Sequence, residues 1–196
     1  MSEIMDIIKT RRTIRKFTSK KVPLSILKKC VTTAIYAPSA GNLQFVEYLI
    51  VNLPQQVEKI FSYTKWAGYI YPKGTPQKEE RPQIFIVVLI NKNKSSKPDL
   101  RDVGAGVQNI LLSLWAHKIG SCWIGNCDKE RIHKLLHLPS YIEIDSVIAV
   151  GYPLQLPKVV PFKGSIKYYL DKENRLCVPK RPFKDVIFIN EYRERV

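Results

Sequence analysis

Arg11-Arg12-Thr13-Ile14-Arg15 places three guanidiniums and a hydroxyl within five residues, just past a short apolar-striped segment. A planar guanidinium donates two parallel hydrogen bonds to a phosphate and stays charged at any working pH, and a threonine hydroxyl adds a short neutral donor. Each charge-assisted bond contributes roughly 1.5 to 3 kcal/mol, so the stretch reads as a phosphate seat. An isolated Arg-Arg pair is more often a solvated basic turn. What favours the seat is the rest of the chain.

Upstream, Ile4, Ile7 and Ile8 recur at helical spacing behind Glu3 and Asp6, acids suited to a helix N-terminus, so a first helix runs up to the arginines. Downstream, Pro23 to about Ala37 predicts a second helix, with Leu24, Leu27, Val31, Ala34 and Ile35 on one face and Pro38 as its stop. Pro38-Ser39-Ala40-Gly41-Asn42-Leu43-Gln44 then reads as a turn rich in amide and hydroxyl groups, ahead of a strand over Phe45 to Val51. A short helix near Pro54 to Phe61 gives way to an irregular stretch reaching Pro82. Connections this long are more often functional or mobile than ordinary, and the aromatic part from Lys65 to Tyr71 is expected to act as a lid through Trp66.

Gln83 to Ile90, apolar at every position after Gln83, reads as a strand covered on both faces. Asp99 is placed to cap a long helix whose core side is Leu100, Val103, Val107, Ile110, Leu111 and Leu114, ending before Gly120. Ser121 to Ile124 and Ile142 to Val150 read as strands, with a helix from Asp128 to about Leu136 between them. Beyond Pro153 the pattern fades into a tail rich in Pro, Lys and Tyr, with one β-like run, Val186 to Ile189. Helices and strands alternate irregularly, which predicts a single α+β domain over residues 1–196.

A chain of 196 residues that is 45% hydrophobic can bury about 70% of its unfolded surface in one core. The start lacks the basic, apolar and small-residue order of a secretory signal, and the longest apolar run, Ile84 to Ile90, is far too short to span a bilayer, so a soluble, cytoplasmic protein is expected. Cys30, Cys122, Cys127 and Cys177 show no C-x-x-C spacing and read as reduced thiols. The net charge of +15 raises the alternative of a nucleic-acid binder. The basic residues are scattered, however, and no helix-turn-helix, zinc-finger or aromatic RNA-reading pattern occurs, so nucleic acid is disfavoured. The same charge attracts anionic nucleotides.

Several catalytic signatures fail on inspection. Gly104-Ala105-Gly106 is not a dinucleotide fingerprint, because Asn109 stands where the third glycine belongs and the segment lies in a helix pattern. His133 and His137 are four apart but lack the Glu of H-E-x-x-H and a third ligand, so no metal is expected. Ser39 has no His and Asp at triad spacing. Asp102, Gln108 and Asn109 read as residues that tie elements together. A phosphate seat, an amide-rich loop and the turn Gly120-Ser121-Cys122-Trp123-Ile124-Gly125 suit a ligand with one phosphate and a flat polar ring.

On these residues the chain resembles the FMN-dependent nitroreductase family. The resemblance is carried by Arg11 to Phe17, Ala37 to Gln44, Asp102 to Asn109, Gly120 to Gly125 and Val147-Ile148-Ala149-Val150-Gly151-Tyr152-Pro153, in the family's order. It implies a central, mostly antiparallel sheet flanked by helices, and an extended C-terminal arm, residues 154–196, exchanged in a homodimer. It implies that Arg11, Arg12, Thr13 and Arg15 hold the FMN phosphate, ribityl chain or ring edge. Pro38, Ser39, Asn42 and Gln44 would reach the flavin from the other subunit, and Trp123, Ile124 and Gly125 would cover the ring near its redox nitrogen. Lys180 or Arg181 would add a cation at the phosphate. The implied activity is ping-pong transfer from NAD(P)H to an electron-poor small molecule such as a nitroaromatic or quinone, the alternative being a flavin-binding protein without turnover. Two departures stand out: Phe45-Val46 replaces the family's Pro-Trp, and Thr13 replaces its Ser. On the residues alone, Asn42 and Gln44 fit a self-bonded turn equally well, and Trp123 fits a core aromatic.

Overall fold

The computed structural model describes residues 3–192. Its centre is β2 (Ile84–Asn91), buried at every position and hydrogen-bonded on both sides. The strands β1 (Val46–Val51), β2, β4 (Ile142–Gly151) and β3 (Gly120–Ile124) form a wholly antiparallel sheet in the order β1-β2-β4-β3.

Side chains alternate across a strand, and β2 therefore feeds two cores. Phe85, Val87 and Leu89 pack with Ile14, Phe17, Trp66 and Ile132 on one face. Ile84, Ile86, Val88 and Ile90 pack with Leu27, Phe45, Val107 and Leu114 on the other. Along β4 the alternation breaks: Ile144 and Val147 share a face because the register shifts opposite Val88 and Leu89, leaving Asp145 as the extra residue of a bulge.

The second face is covered by α2 (Leu24–Thr32) and α4 (Leu100–Ala116). The first is covered by α3 (Pro54–Ser62) and α5 (Lys129–Leu135). Asp99 and Asp128 cap α4 and α5 as expected, accepting from the backbone N–H of Arg101 and Arg131. α1 (Glu3–Thr10) buries no residue, and its stripe of Ile4 and Ile8 faces outward. Leu100 and Ile35, expected in the core, are also exposed. The second helix is shorter than its pattern, continuing as a 3-10 turn over Thr33–Tyr36.

One expectation needs correction, and the tail holds structure that its pattern did not announce. Trp66 is no lid: it is buried against Phe61, ring centroids 5.5 Å apart, and its Nε1 donates to Thr64 Oγ1 at 2.8 Å. The segment beyond Pro153 is more regular than its fading pattern predicts. It folds into a second sheet of β5 (Lys158–Pro161), β7 (Leu176–Lys180) and β6 (Tyr169–Leu170), with β5 parallel to β7. Val186 to Ile189 is not a strand within this chain, following instead a 3-10 turn over Phe183–Asp185. A β-prone sequence needs an edge to pair with, and this run has none within the chain.

Candidate functional site

The arginine segment leaves α1 in extended form and crosses the end of the sheet where β3 begins and β4 finishes. Thr13 bridges Ser121 in parallel, and the Ile14 amide donates to the Ser121 carbonyl at 2.9 Å. Phe17 bridges Pro153, and the Thr18 and Leu154 amides close the pairing on Tyr152 and Lys16 at 2.9 Å each. Ile14 and Phe17 are fully buried and anchor the segment, so the intervening residues are held near the surface.

Two glycines make this crossing possible. A Cβ on Gly120 would stand 2.8 Å from Ile14 Cγ1, and one on Gly151 would stand 2.9 Å from Phe17 Cδ1. Both stand in motifs quoted from the sequence, but the reason for a glycine at each arises only when the segment lies against the sheet.

Arg11, Arg12, Thr13 and Arg15 are all half-buried. Arg11 is held below its ordinary pKa by burial and then by the charge of Arg12, and Arg12 is lowered by burial. Among the described residues none of the three arginines pairs with a carboxylate. A guanidinium does not lose its proton in a protein, so the arrangement stores like-charge repulsion and lost hydration that a bound anion would relieve. Arg12 Nη1 donates to the Arg11 carbonyl, and Arg15 stacks 5.0 Å over the ring of Tyr168, which contacts Tyr69 at 4.9 Å. Arg15 also lines a cleft of about 320 Å³ with Lys16, Lys73, Gln155 and Asn174. Lys73 was missed; its signal was its place in the long connection before β2.

Trp123 lies on the outer strand, 42% exposed, which excludes the core-aromatic role. Its Nε1 donates to Ser146 Oγ at 2.6 Å, and that hydroxyl donates to Asp145 Oδ2 at 2.6 Å, so the bulge on β4 fixes the indole. Ile124 is buried and Gly125 exposed. Cys122, the neighbour of Trp123 on β3, is pushed to about 11 by burial, against the pull of Arg15, and stays a thiol at neutral pH.

The amide loop sits elsewhere. Pro38, Asn42 and Gln44 are exposed, and Ser39 is half-buried. Gly41, Asn42 and Gln44 all have left-handed backbone, with φ of 57°, 55° and 49°. For a residue such as Gln44 this costs roughly 1–2 kcal/mol. Asp102, buried in the first turn of α4, accepts from Ser39 Oγ at 2.8 Å and from the Ala40 amide at 2.9 Å. Bonds to a carboxylate contribute roughly 1.5 to 3 kcal/mol each, enough to offset the strain. Asn42 Oδ1 accepts from Gln44 Nε2 at 3.0 Å, the self-bonded turn weighed above.

The loop and the arginines do not meet within one chain. Asp102 ties the loop to the start of α4, while Trp115, near its end, donates from Nε1 to Thr10 Oγ1 at 2.9 Å beside Arg11. At 1.5 Å rise per residue the two anchors stand about 20 Å apart along the helix. Lys180 and Arg181 are exposed at the end of β7; Lys180 pairs with Pro161 in the small sheet, and Arg181 donates to the Asp185 carbonyl. A cavity of about 640 Å³ between Lys21, Asn52, Arg81 and Gln83 shares no residue with either half of the site. No metal-binding cluster occurs among the described residues; His133 Nε2 instead meets the Ile142 carbonyl at 3.0 Å.

The model of the nitroreductase family matches residues 8–152. The chain belongs to the nitroreductase family. The match begins within α1, takes in the arginine segment, the amide loop and the whole four-stranded sheet, and ends beside Phe17's partner Pro153. This nitroreductase-family chain is 30% identical over 160 residues to a protein of Archaeoglobus fulgidus provisionally named NADH dehydrogenase/NAD(P)H nitroreductase, covering 78% of this chain and 87% of that one. It is 27% identical to the iodotyrosine deiodinase of Thermotoga neapolitana over 78% of its own length and 90% of the relative's. The NADPH:FMN oxidoreductase of Vibrio harveyi shares the fold at a TM-score of 0.70 and 21% identity, covering 100% of this chain and 80% of that one. No helix among the described residues is long and apolar enough to cross a membrane.

Proposed function

We propose that this nitroreductase-family protein is an FMN-dependent NAD(P)H oxidoreductase. It works as a homodimer and reduces small electron-poor acceptors, nitroaromatics or quinones, by a ping-pong mechanism. The observation that carries the reading is the seat of three half-buried guanidiniums with no carboxylate partner, joined by the Thr13 hydroxyl. Its donor set fits a phosphate monoester, which takes bidentate bonds from planar guanidiniums. FMN, when bound, supplies the hydride-accepting and electron-donating ring.

The chain's own residues then have three tasks. Arg11, Arg12, Thr13 and Arg15 bind and orient the phosphate end, and Lys180 or Arg181 adds a further cation there. Trp123, held by Ser146, shields one side of the ring together with Ile124 and Gly125, which limits water. Pro38, Ser39, Asn42 and Gln44 offer polar edges, but from about 20 Å away along α4, so a complete site draws its amide loop from a second copy. The exposed apolar groups Ile35, Tyr36 and Leu43 beside the loop, and Ile4 and Ile8 on α1, offer apolar side chains to that copy. The segment over residues 181–192 serves as an arm to the partner. With no protein acid or nucleophile in the scheme, donor and acceptor use the same face in turn, which is the ping-pong order.

The test is the visible spectrum of the purified protein with sedimentation in parallel. A yellow dimer carrying one flavin per subunit, bleached by NADH or NADPH and recoloured by a quinone, is expected. A colourless protein that does not take up FMN overturns the proposal, and a yellow protein that neither nucleotide bleaches reduces it to a flavin binder.

A further inference from the structure

Asp102 lies in the first turn of α4, where Asp99 already serves as the helix cap. An acid at this position commonly reaches back to its own helix. Here the carboxylate turns away, and a single oxygen, Oδ2, receives both the Ser39 hydroxyl at 2.8 Å and the Ala40 amide at 2.9 Å. The Ser39 oxygen in turn accepts from the Gln44 amide at 3.1 Å, so one buried carboxylate governs both ends of the loop. Between those ends the backbone is left-handed at Gly41, Asn42 and Gln44.

Nothing else of comparable strength holds this shape. Among the described residues the remaining bonds are a turn from the Asn42 amide to the Ser39 carbonyl at 2.9 Å, one from the Leu43 amide to the Ala40 carbonyl at 3.2 Å, and those from Gln44 Nε2 to Asn42 Oδ1 at 3.0 Å and to the Asn42 carbonyl at 3.5 Å. Behind the loop lies a cavity of about 230 Å³ lined by Ala34, Tyr48, Lys94, Asp102 and Gly106. The loop therefore spans a gap and is not packed down, and its conformation depends on the carboxylate. Gly106, one turn further along α4, keeps the floor open: a Cβ there would collide with the Tyr48 hydroxyl.

We infer that Asp102 is the positioning residue of the amide loop: it presets the strained backbone in which Asn42 and Gln44 meet the flavin of the partner subunit. This rests on the function proposed above. Preorganisation of this kind matters because a loop ordered only on binding lowers the apparent affinity by the fraction of time it is correctly shaped.

The experiment compares wild type with Asp102→Asn, Asp102→Ala, Ser39→Ala and, as a control, Asn109→Ala. The Asn109 side chain donates to the Thr33 carbonyl at 3.2 Å and ties the same helix to the 3-10 turn over Thr33–Tyr36, ahead of the loop and without touching it. Hydrogen exchange in flavin-free protein should show the amides of residues 40, 42 and 44 exchanging at least about ten-fold faster in Asp102→Ala and Ser39→Ala, as expected when a charge-assisted bond is lost. Asp102→Asn, which keeps one acceptor, should fall between. FMN titration should show a loss of roughly ten- to a hundred-fold in affinity for Asp102→Ala, with a shifted flavin reduction potential. Asn109→Ala should lower melting temperature and leave loop exchange, affinity and potential unchanged.

If the Asp102 and Ser39 variants keep wild-type loop exchange and FMN affinity, or if Asn109→Ala shifts them equally, the inference is overturned while the flavin assignment stands. If Asp102→Ala fails to fold, Ser39→Ala carries the same test, because its hydroxyl is the relay. If the wild type itself takes up no FMN, the proposed function and the inference fall together.

Discussion

Arg11→Met separates a binding arginine from a structural one. The substitution keeps most of the aliphatic stem and removes the guanidinium. In the free protein that guanidinium is half-buried beside Arg12 with both influences acting against its charge, and no carboxylate compensates. The backbone bonds of the segment, from the Arg11 amide to Ile7 at 3.0 Å and from Ile14 to Ser121 at 2.9 Å, do not involve the side chain. Flavin-free Arg11→Met should therefore melt at or slightly above the wild-type temperature. Affinity for FMN should behave oppositely. Loss of charge-assisted bonds worth roughly 1.5 to 3 kcal/mol corresponds to a drop of about ten- to a hundred-fold. At a flavin concentration of a hundred times the wild-type Kd, ligand stabilisation is about 2.7 kcal/mol, and it should fall to between about 0.4 and 1.4 kcal/mol in the variant. Fluorescence titration gives the Kd, and melting with and without flavin gives the two stabilities. An unchanged Kd refutes the phosphate seat, and a flavin-free variant that loses more than about 1 kcal/mol shows that Arg11 is a packing residue.

Trp66→Ala should cost about 3–5 kcal/mol of stability, as removal of a buried aromatic does, and leave KM for different acceptors in unchanged proportion at low temperature; a selective KM change would restore the lid. Removing residues 181–196 should weaken dimerisation and lower flavin content, read by sedimentation with absorbance at the flavin band, and a stable dimer with full flavin would dismiss the arm. Tyr48 is pushed up to about 12 by burial, from an ordinary value near 10. Because the neutral phenol is the favoured form in the fold, its contribution of up to ~2 kcal/mol, discounted for partial exposure, is complete below pH 10 and disappears as pH rises toward 12. Urea melts across that range should show wild type losing up to ~2 kcal/mol relative to Tyr48→Phe, which has no phenol to titrate; curves that stay parallel would exclude it.

What the sequence determined by itself were the features set by local patterning. The all-apolar run of β2, the caps Asp99 and Asp128, the proline that opens α3, and the order of motifs all follow from interactions between residues close in the chain. The candidate site residues were proposed from the same local reading: Arg11, Arg12, Thr13 and Arg15 are neighbours in the chain, and so are Pro38 to Gln44. Tertiary structure decided what lies between distant segments. Only the approach of Ile14 to Gly120 and Phe17 to Gly151 explains those glycines, and only the register of β4 on β2 produces the bulge that fixes Trp123 through Ser146. Trp66, in an irregular stretch with no periodicity, could not be assigned to the core from its neighbours, because its partners Phe61 and Thr64 meet it through a turn. The second sheet escaped notice because β6 is two residues long and β5 pairs in parallel with a strand well beyond it, contacts with no local signature. Asp102 read as an ordinary polar residue of a helix, and its role comes from the direction of one carboxylate, which is set by how α4 packs against the turn after α2.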